Sequence, residues 1–181
     1  MKVLKTKLPK NSLLNGEEKK YDYVDSYRGA FLNGGNTPNS EDLCRAFFLS
    51  SPSWVGKLFM LRNSIAGLLG LKISGDITNR QASLDGFTCQ PGERIGLFKI
   101  FSRTANEVVM GEDDKHLDFR VSLFLHPLEE NEIENILTIS TTVLFHNWFG
   151  SLYFVPVRPF HKMIVPAMLK GIVRQLALQK R

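Results

Sequence analysis

Two stretches of strict alternation limit the folds open to this chain. From His116 it reads H-L-D-F-R-V-S-L-F-L, and from Ile136 it reads I-L-T-I-S-T-T-V-L-F-H. Side chains along an extended strand point alternately to opposite faces. In the first stretch Leu117, Phe119, Val121, Leu123 and Leu125 therefore share one face, and His116, Asp118, Arg120 and Ser122 share the other. In the second, Leu137, Ile139, Thr141, Val143 and Phe145 oppose Thr138, Ser140, Thr142 and His146. The polar link at 128–135 lets the two pair as an antiparallel hairpin. Matching apolar to apolar sets Phe119 across from Val143, Leu117 across from Phe145, Arg120 across from Thr142 and His116 across from His146. A slip of one residue would turn each apolar side chain into water, so the register is strongly specified. The polar face is expected to be convex and open to solvent.

The remaining pattern places this hairpin in an α+β domain. Residues 1–20 form a basic entry segment, extended around Pro9. The run Y-D-Y-V-D-S-Y-R-G-A-F follows, with Tyr21, Tyr23, Asp25 and Tyr27 on one face of a first strand. A Gly- and Asn-rich loop leads to a helix over 41–50, capped by Ser40 and burying Leu43, Phe47 and Cys44. Ser53 caps a second helix over 54–69, and a weak strand is possible at 72–78. Strands are expected at 95–103 and 105–110, before the central pair, and at 151–157 after it. Residues 160–180 return to helical spacing, with Ile164, Val165, Met168, Leu169, Ile172, Val173 and Leu176 on one face. Pro166 is expected in the first turn of that helix or at a kink. One apolar sheet face and one apolar helix face call for each other.

Composition bounds the class. The chain has 181 residues, 43% hydrophobic and 23% charged, enough for one soluble domain with a real core. The first ten residues contain no apolar stretch of the secretory kind, and no apolar run approaches the ~20 residues of a membrane helix. Cys44 and Cys89 match no metal or redox spacing, so reduced thiols and a cytoplasmic location are expected. The net charge of +5 belongs to the termini, because residues 21–169 hold 13 basic and 16 acidic residues. A nucleic-acid binder concentrates its basic groups along a groove, so that class is not expected.

The element order resembles the helix-grip fold of the START-related (SRPBCC) and birch-pollen-allergen-like superfamily, with six strands read here against the usual seven. Several motifs also resemble an uncharacterised bacterial domain family, found alone or fused to short-chain-dehydrogenase-like NAD(P)-binding proteins. They are Pro52-Ser53-Trp54, Leu61-Arg62-Asn63, G-E-R-I-G-L-F from Gly92, G-E-D-D-K-H-L-D-F-R from Gly111, and R-P-F-H from Arg158. The resemblance implies a single domain over 1–181 and a curved sheet around the C-terminal helix. It also implies a small, largely apolar ligand between the two. Phe98, Phe119, Thr141, Phe145, Tyr153 and Met168 would line that site, with Arg158 and His161 at its mouth.

Other readings are weaker. Asp113, Asp114, His116 and Asp118 suit a metal as ligand types, but Asp at a turn has local hydrogen-bonding reasons of its own. His116, Asp118 and His146 would make an acid–base set only if walled from water. The same face, with Arg120 and Arg158, would serve as an interaction module pairing with a second copy or an NAD(P)-binding partner. Gly34-Gly35 lacks the strand–glycine–helix context of a dinucleotide site, and no nucleophile motif, zinc-protease motif or phosphate loop occurs. No cofactor, metal or catalytic residue is therefore assigned. The chain is read as a ligand binder ahead of an interaction module or an enzyme.

Overall fold

The computed structural model describes residues 1–16, 20–32, 37–50, 84, 86–128 and 134–178. Its strands are β1 (Val3–Thr6), β2 (Tyr23–Leu32), β3 (Arg94–Ile95), β4 (Phe98–Arg103), β5 (Glu107–Asp113), β6 (Leu117–Leu125) and β7 (Glu134–Phe145). Helix α1 is Ser40–Leu49, and α2 is Trp148–Leu178. The strands form one seven-stranded antiparallel sheet in the order β1-β2-β7-β6-β5-β4-β3. The central register is the one the alternation requires: Phe119 faces Val143, Leu117 faces Phe145 and Arg120 faces Thr142. The backbone amide of His146 donates to the carbonyl of His116 at 2.9 Å. The domain is mixed α+β, as expected from the layer argument.

The inner sheet face carries the core. Tyr27, Leu137, Ile139, Leu123, Leu125, Val108 and Met110 pack against Leu43, Phe47 and Phe48 of α1 and against Val165, Met168, Leu169 and Ile172 of α2. Asn39, not Ser40, caps α1. Its side-chain oxygen accepts from the amides of Glu41 and Asp42, and Asp42 accepts in return from the Asn39 amide. The residue before the acidic pair is one turn position too late to reach both amides, and Ser40 instead donates to the Thr104 carbonyl at 2.6 Å. The expected helix at 54–69, its Ser53 cap and the weak strand at 72–78 lie outside the described residues.

Five further expectations are corrected. The entry segment contributes an edge strand, β1; with the split of the strand expected over 95–103 and the loss of the one expected at 151–157, the sheet has seven strands among the described residues where six were counted. The strand expected over 95–103 is a hairpin, folded at Gly96, which takes φ +57° where a side chain is disfavoured. Residues 151–157 are helical: α2 begins at Trp148, twelve residues ahead of the expected start at 160. Their alternation was produced by an apolar stripe whose outer positions are also apolar. Phe154, Val157, His161, Val165 and Met168 recur at three- and four-residue steps and turn inward. Pro156, Pro159 and Pro166 all sit inside the helix, Pro166 well past its first turn.

Fourth, Cys44 of α1 and Cys89 are paired as a disulfide, both fully buried. Forty-five residues of separation in sequence become 6.6 Å between Cα atoms, because residues 86–89 run back to the helix. The reduced-thiol argument for a cytoplasmic location falls with it. Fifth, the outer sheet face is open only in part: Val24, Leu144 and His146 are exposed at one end, but the middle is buried. Ser26, Ser122 and Ser140 are fully buried in a row across β2, β7 and β6, and Leu14 of the entry segment is buried as well. The Glu107 carboxylate accepts from the Ser12 hydroxyl at 2.6 Å, the Leu13 amide at 2.8 Å and the Ser122 hydroxyl at 2.5 Å. Among the described residues no helix is long and apolar enough to cross a membrane.

Candidate functional site

One end of the inner face differs from the rest. Alternation along β2 points Tyr23 and Asp25 inward, beside Val143 and Thr141 of β7. The inward stripe of α2 brings Phe154, Val157 and His161 over them. Tyr23, Val143 and Phe154 form a second apolar cluster, bordered by Leu117, Phe119, Phe145 and Val157. Phe154 meets Tyr23 edge-on at 4.9 Å and Phe145 at 5.6 Å between ring centroids. Phe119 also touches the main core, where Phe98 meets it edge-on at 5.9 Å between ring centroids. The site is an aromatic wedge between sheet and helix.

Within the wedge lies a buried carboxylate. The Asp25 side chain is 3% exposed. Its Oδ2 accepts from the Tyr23 hydroxyl at 2.7 Å and lies 3.1 Å from His161 Nδ1. A carboxylate only accepts, so that imidazole nitrogen carries the hydrogen. Arg158 lies over the Tyr23 ring, 5.3 Å from its centroid. Asp25 Oδ1 has no hydrogen-bond partner, and neither has Oγ1 of Thr141, its cross-strand neighbour. The contrast with Glu112 near the other edge is informative, since Arg94 engages both of its oxygens.

Burial, then the hydrogen bond to Asp25 and its charge, raise the Tyr23 pKa well above the ordinary 10.0. The folded value lies above the unfolded one. The stabilisation from a neutral Tyr23 is therefore complete below pH ~10 and is lost as pH climbs through the folded value. Urea-unfolding free energy is expected to fall on the alkaline side of pH ~10, and Tyr23→Phe should remove most of that slope. Tyr21 and Tyr27, both raised by burial, supply the remainder. An unchanged slope in Tyr23→Phe would contradict this assignment.

The residues picked out from the sequence are only partly brought together. Thr141, Phe145, Arg158 and His161 gather at the wedge with Phe119. Phe98 and Met168 lie in the main core, and Tyr153 is half-buried on α2 beside Phe154, which is the inward ring. Arg158 and His161 stand within α2 rather than at a strand–helix corner. Tyr23, Asp25 and Phe154 were not picked out. An acid sharing a strand face with three tyrosines was the available signal for Asp25.

The polar-face candidates disperse. His146 Nε2 pairs with Asp118 at 2.9 Å, whereas the His116 ring turns to Asn147 at 3.2 Å and to Phe149. Asp113 pairs with Arg120, and Asp114 accepts from the His116 amide within the β5–β6 turn. Among the described residues no three His, Cys, Asp or Glu side chains are arranged to hold a metal ion.

Residues 18–168 match the family described as protein of unknown function DUF2867. The chain belongs to that family. No curated protein and no solved structure matches it. The DUF2867 match runs from just before β2 to Met168 of α2. It takes in Tyr23, Asp25, Thr141, Phe154 and His161 and leaves out β1 and Ser12.

Proposed function

We propose that this domain binds a small, largely apolar molecule between the sheet and α2, with a hydrogen-bond donor of that molecule directed at Asp25 and Thr141. The observation that carries the reading is the pair of buried, unpartnered oxygens, Asp25 Oδ1 and Thr141 Oγ1, side by side within an aromatic wedge. Leaving a buried acceptor unmet costs ~1–3 kcal/mol, more when it is charged, and a ligand hydroxyl, amide or ammonium would recover it. Phe119, Phe145 and Phe154 supply the apolar walls, with Phe98 and Met168 deeper and Tyr153 and Arg158 toward the rim. His161 and Tyr23 hold the carboxylate oriented by occupying its other oxygen. The order of the strands supports the helix-grip likeness. The first long strand, β2, pairs with the last, β7, and the C-terminal helix packs on the face between them.

Native mass spectrometry of the freshly purified protein, followed by solvent extraction, tests this. A bound molecule is expected, or failing that, saturable uptake of a dansyl alkylamine. An Asp25→Asn/Thr141→Val variant should keep its circular dichroism and lose roughly tenfold or more in affinity, as the loss of a charge-assisted hydrogen bond predicts. A parent that carries nothing and takes up no probe would overturn the proposal. Unaltered uptake by the double variant would do the same.

A further inference from the structure

The side of α2 that faces away from the sheet is apolar where a surface helix should be polar. Trp148, Leu152, Val155 and Met163 are 76, 57, 64 and 64% exposed. With Pro159 they follow one another at steps of four, three, four and four residues, on the face opposite Phe154, Val157, His161 and Val165. At 1.5 Å per residue the stripe is about 22 Å long. Phe160 adds a further half-exposed ring beside it.

The charges along this helix have one sign. After Glu134 the chain contains no Asp or Glu, while α2 presents Arg158, Lys162, Lys170 and Arg174. All four are exposed; Lys162 lies alongside the stripe, Lys170 and Arg174 continue past its end, and Arg158 turns back over the Tyr23 ring. A second copy laid on this face would bring like charges together with no acid on either helix to offset them. The helix also contains Pro156, Pro159 and Pro166. Proline has no N–H, so the carbonyls four residues earlier, at Leu152, Val155 and Lys162, lack their helical donors. They need water or another donor close by, which a dry protein interface or the bilayer interior does not provide. The hydrated headgroup layer does.

We infer that the outer face of α2 docks on an anionic lipid bilayer, with the helix lying in the plane of the interface. Trp148, Leu152, Val155, Phe160 and Met163 enter the boundary of the acyl chains, and Lys162 and Lys170 meet lipid phosphates. An apolar face rich in Trp, Phe and Leu beside basic residues is the pattern of helices that lie on membranes. Among the described residues, none of the helices is apolar enough to span one.

Flotation of the full chain with vesicles of phosphatidylcholine, alone or mixed with phosphatidylserine, tests the inference. Binding is expected to the phosphatidylserine vesicles and to weaken as salt is raised. Leu152→Ser/Met163→Ser should lower partitioning roughly tenfold or more, because both lost side chains are apolar. Lys162→Gln/Lys170→Gln, which leaves both the stripe and the wedge intact, should abolish the preference for phosphatidylserine. The Trp fluorescence shift on binding should vanish in Trp148→Phe. Absence of flotation would overturn the inference. So would a Leu152→Ser/Met163→Ser protein that floats like the parent, since charge alone would then explain adsorption. A parent dimer that this variant converts to monomer, with no effect of vesicles, would assign the face to a second copy instead.

Discussion

Glu107→Ala is expected to destabilise the fold by about 3–5 kcal/mol, a size reserved for breaking a buried charged network. Glu107 is 1% exposed at the start of β5, on the outer face of the sheet. One oxygen takes the Ser12 and Ser122 hydroxyls, and the other takes the Leu13 amide. Two of these three bonds bind the entry segment to the sheet, beside which Leu14 is buried. Removing the carboxylate strands the Ser122 hydroxyl, which is fully buried, and releases residues 12–14. Glu107→Gln keeps the shape but aims an amide donor at groups that already donate, so about 1–2 kcal/mol is expected from it. Urea unfolding measures both values. Hydrogen exchange at the Leu13 amide should separate a released segment from a general loss of stability. A Glu107→Ala protein as stable as the parent would show that the latched segment is dispensable.

The same latch shows where the sequence was legible and where it was not. The β6–β7 register could be read because each residue of both strands agrees on which face is apolar. Both strands are adjacent in sequence, so pairing required no long-range information. The polar row on their other face looked like a solvent surface, because serine and threonine are as common on open sheets as under a cover. What is latched beside it lies about a hundred residues away, in a lysine-rich segment with no apolar period of its own. Cys44 and Cys89 failed for the same reason: spacing along the chain carries no information about a turn at a positive-φ residue such as Cys89. The pairing of β2 with β7 is likewise invisible to local pattern, and it is this pairing that sets Asp25 beside Thr141. Thr141 could be placed on the inner face from alternation alone. Asp25 could be placed on a tyrosine face, but its partner His161 required α2 to reach back over the sheet. The prolines hid that reach. Each argues against a helix locally, yet the 154–157–161–165–168 period persists through them, and burial of that stripe outweighs the lost backbone bonds.

Because the wedge is closed by the first half of α2, its geometry depends on how that helix is set down. Gly150 decides this. A Cβ built at Gly150 would lie 2.1 Å from the His116 carbonyl oxygen and 2.9 Å from its carbon, far inside contact distance and against backbone that cannot swing aside. Asn147, just ahead, fixes the same junction by accepting from the Gly150 amide at 3.1 Å and donating to the Lys115 carbonyl at 3.3 Å. Gly150→Ala must therefore lift the start of α2 or spread the β5–β6 turn, at a cost of about 3 kcal/mol or more. Gly16→Ala is the control, with open space around its Cβ and no unusual backbone angle, and should change stability by less than ~1 kcal/mol. The displacement should also show locally. The His146 amide, bonded to the His116 carbonyl, is expected to lose hydrogen-exchange protection beyond the global change. If the wedge binds as proposed, Gly150→Ala should weaken uptake of the alkylamine probe even at temperatures where the protein stays folded, since Phe154 and His161 are carried by the displaced helix. A folded Gly150→Ala protein with parental stability and unaltered exchange at His146 would show that the junction has slack that the observed contact does not reveal.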